Sequence, residues 1–202
     1  MLSTEDWAKS FGISVAANPP PVEASSKPCE RSAREIAIRT LILQGVVAVA
    51  SEVQPEAIVR WFMDQDIWGC TTPEEQALLQ NPSLTEEQRE KFAWHQEAEW
   101  ALLWVLGKVE GLGLPTQTCD TRQLCDEIIP PLGSDITPFL ASAALRPPGL
   151  LLAEDDRTYD LWCRALAARR KGEPLPDDLN WGVLYARRYA SSGWTACRIG
   201  TR

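Results

Sequence analysis

The residues able to do chemistry in this 202-residue chain gather in one stretch, WHQEAEWALLW at 94–104, which sets two carboxylates and an imidazole among three tryptophans. On a helix advancing about 100° per residue, Glu97 falls about 60° from Trp94 and about 20° from Trp104, inside the aromatic face. An unpaired carboxylate buried there would cost several kcal/mol, so a cationic partner is expected. Arg39, bordered by Ile36, Leu43 and Val46 on an earlier apolar helix, is the predicted partner, with Arg34 as the alternative. A carboxylate beside a guanidinium stays ionised and gives up no proton, so the pair Arg39–Glu97 reads as structural rather than as a general acid. His95 lies about 160° from Glu97 and about 40° from Glu99, which rules out a His95–Glu97 dyad and leaves at most a solvated His95–Glu99 pair.

His95 is the only histidine, which excludes every site that needs two imidazoles. The six cysteines, at 29, 70, 119, 125, 163 and 197, form no CxxC. Spread through a chain large enough for a core of its own, they read as reduced thiols. No metal or other cofactor is predicted. A Cys–His nucleophile pair would need a thiol to approach His95 in space, and no local signature marks one. The glycines of GLGLP at 111–115 and SSG at 191–193 lack the flanking elements of a phosphate loop or nucleophile elbow and read as turns.

These groups must be held by helices. Ser32 three residues before Glu35, Thr72 before Pro73 and Glu75, and Thr85 before Gln88 are capping-box spacings, each opening an apolar pattern. They predict helices over about 32–51, from Pro73, and from Thr85 to about Val109, with a short helix from Pro55 between the first two. Further helices are expected at CDTRQLCDEI, TPFLASAAL, DDRTYDLWCRALAARRK and NWGVLYARRYA. Residues 3–10 suit a short helix, followed by a proline-rich arm. The expected fold is mostly α: a single multi-helix domain over 31–202 behind an arm at 1–30, with at most a minor strand at Leu150 to Leu152 or the extreme C-terminus. Trp61, Trp94, Trp100, Trp104 and Trp162 fall among apolar helical neighbours and are expected in the core, while Trp7, Trp68, Trp181 and Trp194 lie near element ends.

The formal charge is −8 with a pI near 4.8, which argues against nucleic acid as a partner. Residues 1–156 carry net −13 and residues 157–202 net +5. Asp64, Asp66, Glu74, Glu75, Glu86, Glu87 and Glu90, in short loops or first helical turns, are expected to form an acidic face for a basic partner. The N-terminus has no apolar secretory core, and the most apolar run, Ile36 to Ala50, is shorter than the roughly 20 residues of a bilayer span. A cytoplasmic protein without membrane contact is expected.

Several stretches resemble the bacterial domain-of-unknown-function family 4272. These are GIS before a proline-rich arm, RSAREIAIRTLIL (31–43), TTPEE, WHQEAEWALLWVLGKVEGLGLP (94–115), CD (119–120) and LLAEDDRTYDLWCRALAARRKGEPLP (151–176). The chain departs from that pattern where Ala186, Arg187, Arg188 and a shifted Trp194 replace Glu-Arg-His and Asn-Trp, and where Trp162-Cys163 replaces His-Trp. The resemblance implies a helical fold and supplies no reaction. If those polar groups served catalysis in relatives, this chain has lost it.

Strong acidity without an assembled catalytic set leads to one expectation: a non-catalytic protein-binding protein. Its most concrete form is an immunity-type protein that neutralises a basic toxin by occluding its active site. The alternatives are an enzyme with a helical cleft using Glu97 or Glu99 as acid or base, and a homodimeric scaffold.

Overall fold

Helices begin where the Ser and Thr caps predict. In a computed structural model that describes residues 31–81 and 83–195, without the side chains of 177 and 192–195, all three capping boxes form. The Ser32, Thr72 and Thr85 hydroxyls accept the N–H of Glu35, Glu75 and Gln88 at 3.2–3.3 Å, and each N3 side chain returns a bond to the cap N–H. The elements are α1 Ala33–Ala50, α2 Pro55–Asp64, α3 Pro73–Leu79, α4 Glu86–Ala93, α5 His95–Val105, α6 Thr121–Gln123, α7 Thr137–Ala141, α8 Pro148–Lys171 and α9 Trp181–Thr195. Short 3-10 turns at Trp68–Cys70 and Pro176–Asp178 and a π turn at Leu124–Ile128 complete them. No strand occurs among the described residues. The expected helix at 3–10, the arm, and a C-terminal strand lie outside them.

α1 is the axis. Every residue from Thr40 to Ala50 is buried, because α5 covers one side of it and α2, α3, α4 and α7 cover the others. α5 is packed in turn by α9, and α9 by α8, so the order through the molecule is the short helices, α1, α5, α9, α8. Phe62, Ile36, Leu41, Ile42, Leu43 and Leu103 are fully enclosed, each contributing roughly 1.5–3 kcal/mol of apolar burial. Trp61, Trp100 and Trp104 join this core as expected, while Trp94 and Trp162 are half-buried. The indole N–H of Trp61 donates to the Ser134 carbonyl at 2.8 Å, tying α2 to the loop before α7.

Two expected elements differ. The single helix from Thr85 to Val109 is broken at Trp94, whose N–H reaches the Glu90 carbonyl only at 3.4 Å. Its indole lies flat against Gly182 of α9, where a Cβ would collide with the ring. The same helix ends at Val105 because Gly107, at φ 68°, closes a Schellman turn in which Lys108 N–H donates to Leu103 O and Gly107 N–H to Trp104 O. Arg146 then covers the exposed carbonyls: its Nε donates to Trp104 O and its Nη2 to Val109 O, both at 2.6 Å, with the guanidinium 5.1 Å from the Trp104 ring. The second difference is at Leu150 to Leu152, which is no strand but the first turns of α8. Pro148 at the head of the helix supplies the preset φ, and Leu151 turns inward while Leu150 faces out.

Candidate functional site

Glu97 and Glu99, both on α5, are buried and go to different partners. The Glu97 Oε1 accepts the Cys119 backbone N–H in a very short bond, and Oε2 lies 3.6 Å from Arg187 Nε of α9. Arg187 also donates from Nη1 to the Gly113 carbonyl at 3.0 Å. Burial pulls the Arg187 pKa down, opposed by Glu97 and by Glu154 of α8. Burial pushes Glu154 up, opposed by Arg157 and Arg187, so the interior of the α5–α9–α8 stack holds alternating charges. The predicted Arg39–Glu97 pair does not form. Glu97 looks toward α9, whereas Arg39 leaves α1 on the side covered by α3.

Glu99 has no exposed surface, and burial pushes its pKa well above 4.5. The Gln44 side-chain amide lies 2.8 and 3.1 Å from its two oxygens. Those contacts require a hydrogen, from a proton on Glu99 or from the amide turned NH2-inward. Complete burial favours the protonated acid, whose O–H donates to Gln44 while the Gln44 Nε2 faces Cys125 Sγ at 3.9 Å. The solvated His95–Glu99 pair is therefore absent. As a general acid or base Glu99 has no access to solvent. Glu97 borders a cleft of about 310 Å3 with Glu90, Trp94 and Thr118, but its carboxylate is held by Cys119 and Arg187. The neighbouring Cys119 thiol is pushed up to about 12 by burial and by Glu97, so it is no nucleophile at neutral pH.

Arg39 clamps Glu75 with both terminal nitrogens, and Glu75 is 3% exposed while its Oε2 also accepts the Thr72 N–H. Burial works against ionisation, but Arg39 outweighs it and holds the Glu75 carboxyl below its usual range. Glu75 is thus removed from the expected acidic face. The reason is the capping box, which turns the third residue of α3 back toward the helix start and onto α1. His95 lies near this pair, and burial pulls its pKa down.

Asp64, Asp66, Glu74, Glu86, Glu87 and Glu90 are all exposed. Residues 51–93, which form α2, α3, α4 and their loops, carry nine acidic and three basic side chains, net −6. Glu74 is bonded to Lys91 at 2.6 Å and Glu52 lies 3.7 Å from Arg89, so α4 is tied across the layer. Between α2 and α3 runs a groove of about 420 Å3. Pro55, Val59, Met63 and Leu79 give it an apolar lining, and Glu56 and Asp64 stand beside Arg60 along it. Met63 is 57% exposed on this groove.

The sequence model of a family described as "Domain of unknown function (DUF4272)" matches residues 1–194. The chain belongs to that family. No curated protein and no solved structure matches it. In this DUF4272 chain the positions that depart from the expected pattern carry structural contacts. Arg187 enters the core beside Glu97, and Arg188 donates to Asp155 and to Ser191, each at 2.8 Å. Trp162 lies against Tyr159 with ring centroids 6.4 Å apart. Residue type alone places Arg187 at the surface, although Val183, Leu184, Ala190 and Ser191 around it mark the buried stripe of α9 at helical spacing. Among the described residues no group of three or more His, Cys, Asp or Glu is placed to hold a metal, and no helix is long and apolar enough to cross a membrane.

Proposed function

We propose that the protein is a non-catalytic binding module that docks a basic, partly apolar protein segment on the α2–α3–α4 layer. The observation that carries this reading is the α2–α3 groove: an apolar floor with an exposed methionine, inside a layer bearing net −6. Methionine adapts to irregular apolar surfaces, and carboxylates around it speed the approach of a cation-rich partner and disfavour acidic ones. Neutralisation of a basic toxin, with the groove taking a segment of the toxin and the bound protein blocking its active site, is the most specific form of this function. The two buried carboxyls support a binding role over catalysis, since one faces a guanidinium and the other is sealed in the core.

Photo-cross-linking from position 63 in host cells tests it. A single partner with a strongly basic cross-linked segment, lost when Asp64 and Glu56 are changed to lysine, is the expected result. A neutral or acidic partner, or cross-linking that survives those changes, contradicts it.

A further inference from the structure

A second cleft, sharing no lining residue with the α2–α3 groove, runs between the start of α5 and α9. Trp94, His95, Tyr185 and Tyr189 line it, and its volume is about 230 Å3. Tyr185 is 58% exposed. The buried side chains of Ala98 and Ala186, also in the lining, are too small to fill the space between the rings. At about 230 Å3 the open cleft has room for a six-membered ring with several further atoms. Two charged groups of opposite sign complete the lining: the Glu74 carboxylate and the Lys91 ammonium, 2.6 Å apart and each mostly exposed. An exposed pair of this kind is weakly held and opens readily to other ions. Burial pulls the His95 pKa down, so the imidazole enters as a neutral ring.

A ring-sized aromatic space with one carboxylate and one ammonium at its edge is complementary to a small molecule that carries a ring, an ammonium and a carboxylate. We propose that this cleft binds a free aromatic α-amino acid, its ring among Trp94, Tyr185 and Tyr189, its ammonium on Glu74 and its carboxylate on Lys91. This proposal does not depend on the protein-docking role of the α2–α3 groove.

Because His95 is the only histidine, its imidazole C–H resonances report this cleft without overlap. Titration of the full chain with L-phenylalanine is expected to shift them saturably. Phenethylamine, which lacks the carboxylate, and 3-phenylpropionate, which lacks the ammonium, are each expected to bind about tenfold more weakly, as the loss of one charge-assisted bond implies. Glycine is expected to leave the resonances in place. Glu74→Gln and Lys91→Met, both at exposed side chains, should each weaken phenylalanine by a similar factor, and Tyr185→Ala should weaken all ring compounds together. Unmoved His95 resonances with phenylalanine, equal affinity for the three ring compounds, or unchanged affinity in the Glu74 and Lys91 variants would overturn the proposal.

Discussion

Glu97 Oε2 and Arg187 Nε face each other at 3.6 Å with both side chains buried, and neither atom has a hydrogen-bond partner. The pair joins α5 to α9 through charge where the neighbouring positions join through apolar packing. Removing one member leaves the other charged in the core, which typically costs about 3–5 kcal/mol. Arg187→Met should therefore lower unfolding free energy in urea by about 3 kcal/mol, and Glu97→Gln combined with it should cost less than the two changes summed. A loss of under about 1 kcal/mol in Arg187→Met would show the guanidinium to be solvated.

Glu99 gives a pH dependence of opposite sign to that of most carboxylates. Its folded pKa lies above 4.5 because burial disfavours the anion, so its contribution to stability is full below that value and is lost as pH rises through the elevated pKa. Glu99→Gln keeps a hydrogen bond to Gln44 and removes the titration. Unfolding measured from pH 4.5 upward should show the variant gaining on the parent by as much as about 1.4 kcal/mol per pH unit within that window. Parallel profiles would contradict a protonated Glu99.

Glu75 behaves in the ordinary direction. Burial opposes ionisation, but Arg39 and the cap of α3 hold its folded pKa below 4.5, so its stabilisation is present above that value and lost as pH falls through the depressed pKa. Glu75→Gln retains a capping partner but leaves Arg39 unpaired at 13% exposure, and a loss of about 2 kcal/mol at neutral pH is expected, shrinking in acid. A loss that does not change with pH would contradict a contribution from the Glu75 charge facing Arg39.

Much of this arrangement was legible in the chain. Ser32, Thr72 and Thr85 mark helix starts because a capping box is local chemistry, complete within four residues. The charge of the short helices follows from residue types alone, but the burial of Glu75 against Arg39 does not. What could not be read is which helices meet. Arg39 and Glu97 both need partners, but pairing them requires knowing that α3 covers one side of α1 and α9 one side of α5. The seat of the Trp94 indole likewise depends on Gly182, far along the chain, being bare enough to receive it. Leu150 to Leu152 misled because three apolar residues fit either period, and only Pro148 decides for a helix.

Cys119 and the exposed Cys70 should differ in reactivity. With its thiol pushed up to about 12, Cys119 holds almost no thiolate at pH 8, whereas Cys70 is exposed. Iodoacetamide followed by peptide mass mapping should label Cys70 before Cys119. Early labelling of Cys119 would mean that the loop carrying it opens away from Glu97.

On the proposed reading, the carboxylates along the α2–α3 groove, rather than those of the core, engage the partner. The most direct measurement is cross-link yield from position 63 in three backgrounds: the parent, Glu56→Lys with Asp64→Lys, and Glu99→Gln. Yield should collapse in the lysine double variant, fall as salt is raised in the parent, and stay unchanged in Glu99→Gln. Yield that persists through the charge reversal but disappears with Glu99→Gln would place the working groups in the core and contradict it.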